Sequence, residues 1–104
     1  MSGNLNPQTL EEFVREATEI ANSKGFHVTW DNVPIYLMLV VTELSEAMEA
    51  WRDDDPEAFK EEIADTLIRI FHMCGDLKID ISNAVNVKMS VNRARPYKHG
   101  RKRV

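Results

Sequence analysis

The sequence predicts an all-α protein, and three observations support that fold class. Apolar residues recur at helical spacing in four segments, each segment starts at a residue typical of helix N-termini, and none alternates polar and apolar side chains as a strand does. The hydrophobic share of 43% is enough for the core of one domain spanning residues 1–104. A domain this small gains stability by association, so we expect a four-helix bundle that is completed by oligomerisation.

The first helix is predicted from signals at its two ends. Thr9 followed by Glu12 is a capping box, in which each side chain accepts a hydrogen bond from the other residue's backbone N–H. An apolar stripe follows, and Lys24-Gly25 supplies the stop signal. The next segment, residues 26–32, is expected to be a loop that contains Trp30.

The second and third helices are predicted to form an antiparallel hairpin. Asn32 is a candidate N-cap with Pro34 in the first turn, and this helix should run to about Arg52. Asp55-Pro56 opens the third helix, which should run to about Leu77. The turn between them is short, which favours helices that fold back on each other.

A fourth helix and a basic end complete the predicted order. Gly75 weakens the end of the third helix, and the fourth is expected to begin at Asp80 or Ser82 and to end near Arg93. The remaining residues, 94–104, are rich in basic side chains and are expected to be extended.

Apolar stripes on the second and third helices are the predicted core. At about 100° per residue, one face of each helix is uniformly apolar. The stripe of the second helix consists of Leu37, Val40, Val41, Leu44, Met48 and Trp51. The stripe of the third consists of Phe59, Ile63, Leu67, Ile70 and Cys74. Trp51 and Cys74 are therefore assigned to the core, and His72 to a helix surface or an interface.

Two acid pairs are placed symmetrically about the predicted turn. Glu46 and Glu62 each lie eight residues from Asp54, and Glu43 and Asp65 each lie eleven residues from it. With a rise of about 1.5 Å per residue, all four carboxylates come to one level in a hairpin. Both pairs are rotated by about 100–160° from the apolar stripe of their own helix, in the same sense. We expect the four acids to face one another in a half-apolar pocket.

Four carboxylates in one place require a positive partner, because like charges repel. A hard divalent cation is the natural candidate, and all-oxygen ligation favours magnesium, manganese or calcium over zinc. The alternative is ordinary surface charge, since acidic pairs at this spacing are common. A di-iron carboxylate bundle is not expected, because it needs Glu-x-x-His motifs, and His27, His72 and His99 are scattered.

Charge is divided unevenly along the chain. Residues 1–87 carry 6 basic and 17 acidic side chains, a net of −11, whereas residues 88–104 carry 7 basic and no acidic ones, a net of +7. This basic segment can bind nucleic acid, bring cations to an anion held at the acids, or serve only solubility. Within it, Lys88 and Asn92 share a helix face, and Arg95 can bind phosphate oxygens through paired hydrogen bonds.

Two aromatic residues, Trp30 and Tyr97, could stack on a nucleobase, although a Trp in a loop is more often a packing anchor. The lone Cys74 cannot form an intramolecular disulfide, which is typical of a reducing cytoplasm. The N-terminus lacks the pattern of a secretory signal, and no apolar run approaches the roughly 20 residues of a membrane span. We therefore expect a cytoplasmic protein with no membrane partner.

Three motifs together resemble a known family. They are Glu43-x-x-Glu46, Glu62-x-x-Asp65 and Lys-Met-x-x-Asn-Arg-x-Arg-Pro-Tyr-Lys-His-Gly starting at Lys88. In this order they resemble the MazG-like branch of the all-α nucleotide pyrophosphohydrolases, over roughly residues 30–103. Two departures are visible: Thr42 stands where the family often has a leading Glu, and Pro precedes Tyr97 where some relatives have the reverse order.

The resemblance implies an enzyme that hydrolyses a (d)NTP between its α and β phosphates, giving the monophosphate and pyrophosphate, in nucleotide-pool house-cleaning. It implies Mg²⁺, with Mn²⁺ as a substitute, and Glu43 or Glu46 as the group that orients the attacking water. The implied metal ligands are Glu43, Glu46, Glu62 and Asp65, and the implied substrate-binding residues are Lys88, Asn92, Arg95, Tyr97 and Trp30. The expected assembly is a homodimer or a dimer of dimers, and nucleic acid is not the expected partner.

Two other interpretations remain open from the sequence. A non-catalytic helical oligomer could bind nucleotide or nucleic acid through residues 88–104, and a purely structural helical domain could use its apolar faces alone. All four candidate ligands are present, which argues against an enzyme that has lost its activity. A purely structural domain would not explain why both acid pairs are rotated by a similar angle from the apolar stripe of their helix. The sequence does not select a base or a sugar.

Overall fold

The computed structural model describes residues 8–97, and within that range the protein is all helical, as predicted. Four α-helices follow one another, with one 3₁₀ turn before the second: α1 Leu10–Ser23, the turn Trp30–Asn32, α2 Val33–Arg52, α3 Pro56–Asp76 and α4 Ile81–Ala94. None of these helices combines the length and the apolar character needed to cross a membrane. The sequence predictions for residues 1–7 and for residues 98–104, which include His99, lie outside the described range.

Capping side chains begin three of the helices at predicted positions. Thr9 Oγ1 accepts a hydrogen bond of 3.1 Å from the Glu12 N–H, and the Thr9 N–H donates to Glu12 Oε1 at 2.8 Å. Asp55 accepts a hydrogen bond of 3.0 Å from a backbone N–H in the first turn of α3. For α4 the cap is Asp80 and not Ser82. These caps are local, so the sequence alone identifies them.

Helix α2 begins after Asn32 with Pro34 in its first turn, as predicted, but the Asn32 side chain does not cap it. Instead, Asn32 Oδ1 accepts a hydrogen bond of 2.7 Å from the Thr29 N–H, and its Nδ2 donates to the His27 carbonyl at 3.0 Å. An Asn side chain can close a turn in this way by standing in for a backbone group. The predicted loop over residues 26–32 therefore ends in a 3₁₀ turn.

The central helix of the fold is α3, on which both α1 and α2 pack. A three-residue turn, 53–55, joins α2 to α3, and the two helices form an antiparallel hairpin. Asp54 has a φ of 54°, in the left-handed region, and the Asp55 N–H donates back to the Ala50 carbonyl at 2.9 Å. Because α1 and α2 occupy different sides of α3, a cleft remains between them.

The backbones of α1 and α3 approach closely at Gly75. A Cβ atom added at Gly75 would overlap the Thr18 hydroxyl, and the Thr18 Cβ would lie only 2.9 Å from it. The hydroxyl also donates a hydrogen bond of 2.6 Å to the Val14 carbonyl, which restrains it from turning aside. Gly75 is the second-last residue of α3, near the helix end where it was predicted, and its lack of a side chain also allows α1 to pack there.

Gly75→Ala is expected to destabilise the protein by about 1–3 kcal/mol, the usual effect of overpacking. Inside most helices the same change stabilises by about 1 kcal/mol. A loss of stability would therefore indicate close packing at Gly75. Urea unfolding followed by circular dichroism measures the difference. Adding Thr18→Ala should recover part of the loss, because only the Cβ contact would remain. A Gly75→Ala variant more stable than wild type would contradict the close approach.

The apolar stripes predicted as the core face outward in the protomer. Side chains of 36–68% exposure make up most of both stripes: Leu37, Val41, Leu44, Met48, Trp51, Phe59, Ile63 and Leu67. The α2 face that packs on α3 is instead the flank with Glu43, Ala47 and Ala50, which are 9%, 3% and 7% exposed. Small Ala side chains let the helices approach along this flank, so the assignment of Trp51 to the core of the protomer was wrong.

A buried polar network joins the segment after α1 to α3. His72, predicted at a surface or an interface, is only 6% exposed, so that prediction was wrong. Asp76 Oδ2 lies 2.8 Å from His72 Nε2 and accepts hydrogen bonds from the Val28 N–H at 2.7 Å and from Asn22 Nδ2 at 3.3 Å. Burial disfavours the Asp76 carboxylate, yet these hydrogen bonds keep its pKa below the ordinary value. Cys74 is buried as predicted, and burial raises the pKa of its thiol.

The last helix, α4, projects from the other three. Apart from Ile81 and Ser82 in the first turn, its side chains are exposed, and it makes no extensive contact with α1–α3. The radius of gyration is 16.6 Å. About 13 Å is expected for a compact chain of this length. Three helices therefore pack together and the fourth stands apart, in the part of one chain that the structure describes.

Candidate metal site

Three of the four predicted metal ligands come together where α2 packs on α3. One carboxylate oxygen from each of Glu43, Glu62 and Asp65 lies within 4.8 Å of the other two; these residues are called the acid trio. Glu62 and Asp65 are one turn apart on α3, and Glu43 opposes them from α2. Asp65 is exposed, Glu62 is half-buried and Glu43 is buried.

The fourth predicted ligand, Glu46, borders the acid trio. It is exposed, and its carboxylate is not among the oxygens gathered within 4.8 Å. It is nevertheless close enough for its negative charge to raise the pKa of Glu62. Three residues span about 300° of a helix, so Glu46 points some 60° away from Glu43. Its role as a ligand stays a prediction.

Within the acid trio, Glu62 has the most unusual environment. Its Oε1 atom is buried and accepts no hydrogen bond from an N–H or hydroxyl donor among residues 8–97. A hydrogen bond with Glu43 and burial raise the pKa of Glu62 from 4.5 to about 7, and the charge of Glu46 adds to the effect. Such a carboxyl group is stable either with a proton shared with Glu43 or beside a cation.

Arg69 is the residue of the site that the sequence prediction missed. Its Nε donates a hydrogen bond of 2.8 Å to Glu43 Oε2, in an ion pair between α3 and α2. That hydrogen bond lowers the pKa of Glu43, although burial acts in the opposite direction. The two pKa values therefore move in opposite directions, so a proton bound at this pair resides on Glu62 in preference to Glu43. The sequence contains one indication that Arg69 belongs to the site: it lies one helical turn after Asp65, on the same face of the helix.

A cavity of about 530 Å³ opens beside the acid trio, between α1, α2 and α3. This volume lies within the range of small-molecule sites, about 300–1,000 Å³. Its apolar lining consists of Ala17, Ile20, Ala21, Phe26, Tyr36, Leu39 and Ile68, and its polar lining of Glu43, Asp65, Arg69 and His72. Two of the four acids, Glu43 and Asp65, therefore line a half-apolar pocket, whereas Glu46 and Glu62 do not, so the predicted pocket of four acids is found in part.

The predicted substrate-binding residues do not line this cavity in one protomer. Trp30 lies in the 3₁₀ turn and is 78% exposed. Lys88 and Asn92 lie on the exposed length of α4, Arg95 follows its end, and Tyr97 is 88% exposed. The described part of the basic segment, residues 88–97, thus contributes nothing to the cavity lining in one protomer.

No protein-family model matches the chain, and no curated protein or solved structure matches it either. The functional conclusion therefore depends on the chemistry of the site. Three carboxylates, one of them with a buried oxygen that lacks an N–H or hydroxyl donor, adjoin a guanidinium and a half-apolar cavity. An all-oxygen donor set of this kind fits a hard cation such as Mg²⁺ or Mn²⁺ better than Zn²⁺.

Proposed function

We propose that the protein is a metal-dependent nucleoside triphosphate pyrophosphohydrolase of the MazG-like kind. It converts a (d)NTP and water to the (d)NMP and pyrophosphate, a reaction of nucleotide-pool house-cleaning. The observation that carries the proposal is the buried Oε1 atom of Glu62, which accepts no hydrogen bond from an N–H or hydroxyl donor among the described residues and lies in the acid trio beside a cavity. A buried polar oxygen without such a donor is costly, and a divalent cation would satisfy it.

The acid trio would hold Mg²⁺ or Mn²⁺. When bound, the cation neutralises phosphate oxygens and lowers the pKa of a coordinated water. Glu43 and Asp65 lie on the cavity wall, so a cation held by their carboxylates would be accessible to the phosphates of a ligand in the cavity. Glu46 is exposed and borders the trio, which makes it available to orient the attacking water and accept its proton.

The cavity is suited to the nucleoside part of the substrate. Two aromatic rings, Phe26 and Tyr36, and several aliphatic side chains form its walls, and a planar base can pack against such surfaces. The polar groups at its edge are those of the acid trio and its neighbours. A nucleotide would therefore lie with its phosphates at the trio and its base between α1 and α2.

We also propose a homodimer, or a dimer of such dimers, formed through the outward apolar stripes of α2 and α3. Leu44, Met48 and Trp51 from α2 and Phe59 and Ile63 from α3 line one groove in this surface. A continuous apolar surface on both helices of a hairpin is unusual for a monomer, and two hairpins packed through it make a four-helix bundle. The projecting α4 could then bring its basic residues to the partner's acid trio.

Met48→Glu is expected to raise the dimer dissociation constant at least about 100-fold, because the interface would bury an unpaired charge. Met38→Glu is the matched control, since Met38 and Met48 are 61% and 50% exposed on different faces of the same helix. Sedimentation equilibrium gives the association constants. If the Met48→Glu variant associates as the wild type does, the stripe is not the interface.

The activity itself is tested by pyrophosphate release from a panel of canonical and modified (d)NTPs, with Mg²⁺, Mn²⁺ or EDTA. We expect release that depends on the metal, with the monophosphate as co-product, and the ranking of substrates would identify the base preference. A folded protein that binds Mn²⁺ and releases no pyrophosphate from any nucleotide would rule out the proposed reaction.

A second candidate function is a non-catalytic helical oligomer that binds nucleotide or nucleic acid through residues 88–104. One observation favours it: Lys88 and Asn92 are exposed on a helix that stands apart from the acid trio. Such binding would persist in EDTA and would weaken steeply with salt, because it would release counterions from phosphates. Binding that requires a divalent cation would exclude this alternative.

A further inference from the structure

Arg69 supplies a positive charge at the acid trio. Its Nε donates to Glu43 Oε2 at 2.8 Å, and its side chain is 38% exposed, against 12% for that of Glu43. Both residues line the cavity. The carboxylate is therefore fixed where α2 packs on α3, while the guanidinium is accessible from the cavity.

The ion pair uses only one edge of the guanidinium. Contact through Nε leaves the terminal nitrogens of Arg69 outside this hydrogen bond. A planar guanidinium is well matched to phosphate, because it can donate two parallel hydrogen bonds to phosphate oxygens. Arg69 is thus chemically suited to a second anion that enters from the cavity side.

A cation and a guanidinium compete for the same carboxylate. Glu43 accepts a hydrogen bond from Arg69, and it also contributes an oxygen to the set gathered within 4.8 Å. A divalent cation among those oxygens would stand a few ångströms from the guanidinium. Two positive groups at that distance repel each other, so occupancy by one weakens occupancy by the other.

We propose that Arg69 is an exchangeable counter-ion: it pairs with Glu43 without metal, a divalent cation displaces it, and it then binds phosphate groups of the ligand in the cavity. This inference rests on the metal site of the proposed function and not on turnover. It makes the cation and the phosphate ligand bind cooperatively, because the first releases the residue that binds the second.

Arg69→Gln is expected to move two affinities in opposite directions. Mn²⁺ alone, titrated by electron paramagnetic resonance, should bind about ten-fold more tightly, because a competing and repelling charge is gone. Pyrophosphate, titrated by calorimetry with saturating Mn²⁺, should bind about 10- to 100-fold more weakly, because charge-assisted hydrogen bonds are lost. An ion pair with a structural role alone would shift both affinities together or neither.

Arg52→Gln is the matched control, because Arg52 forms a comparable ion pair of 2.7 Å with Glu49 on the exposed surface of α2. Both affinities should stay at wild-type values in that variant. Arg69→Lys keeps the charge and loses the planar geometry, so it should keep the Mn²⁺ affinity and weaken pyrophosphate binding. If circular dichroism shows that the Gln variant does not fold, Arg69→Lys tests the phosphate contact, and pyrophosphate binding as tight as in the wild type would overturn the exchange.

The outcomes separate this inference from the proposed function. If the wild type binds no Mn²⁺, both the metal site and the exchange are wrong. If it binds Mn²⁺ but Arg69→Gln shifts neither affinity, or both in one direction, the exchange alone is overturned. Opposite shifts in a protein without turnover would support the exchange and exclude the pyrophosphohydrolase reaction.

Discussion

Combining Glu62→Gln with Asp65→Asn is expected to reduce pyrophosphate release from a nucleoside triphosphate at least about a thousand-fold. A bound metal contributes several kcal/mol to a charged transition state, and each 1.36 kcal/mol corresponds to about ten-fold in rate. Both substitutions preserve side-chain size and remove a negative charge, so Glu43 would keep Arg69 as its partner. Steady-state release assays with Mg²⁺ measure the rate, and far-ultraviolet circular dichroism reports whether the helices persist.

Glu61→Gln is the matched control for that variant. Glu61 directly precedes Glu62 on α3 and is exposed, so the change removes one carboxylate from the same turn, against two in the double variant, without touching the acid trio. Turnover should be unchanged. If the double variant hydrolysed nucleotide as fast as the Glu61→Gln control, the acids would be ordinary surface charge and the catalytic centre would lie elsewhere.

The second large effect is expected in the stability of the metal-free protein as a function of pH. The pKa of Glu62 is raised from 4.5 to about 7, so between these values the folded protein binds a proton that the unfolded chain has released. Its contribution to stability is complete below pH 4.5 and is lost as pH rises through 7. The lowered pKa of Glu43 acts only below pH 4.5, outside this window.

Glu62→Gln isolates this effect, because a neutral amide can donate to Glu43 at every pH. In EDTA we expect the variant to match the wild type near about pH 4.5 and to be the more stable protein above about pH 7. Urea midpoints across the range give the two curves. Every other titrating group is shared, so parallel curves for the two proteins would show that the Glu62 carboxyl is not perturbed in the folded state.

The fold class and most helix ends could be predicted because they depend on local interactions. Thr9, Asp55 and Asp80 each accept a hydrogen bond from a backbone N–H three residues later, which a short sequence window contains. The face of each helix that turns inward could not be predicted in this way. Periodicity identifies an apolar stripe, but small residues such as Ala47 and Ala50 decided which flank of α2 lies against α3.

The position of the site along the hairpin could be predicted, because every residue of an α-helix adds the same rise. Equal distances from the turn brought Glu43 to the level of Glu62 and Asp65. Which side chains at that level meet depends on how each helix is rotated about its axis. Counting residues from the turn does not give this rotation. That rotation leaves Glu46 at the border and brings Arg69 onto Glu43. His72 shows the same limit, since its burial beside Asp76 follows from how the segment after α1 crosses α3.

The acid trio draws its oxygens from both helices of the hairpin, and this has a consequence for thermodynamic linkage. A ligand that bridges α2 and α3 binds the folded chain and not the unfolded one, so its binding free energy is added to that of folding. At a ligand concentration of a hundred times the dissociation constant, the gain is about 2.7 kcal/mol. A divalent cation at the acid trio would thus lower the small unfolded fraction of the protein about a hundred-fold.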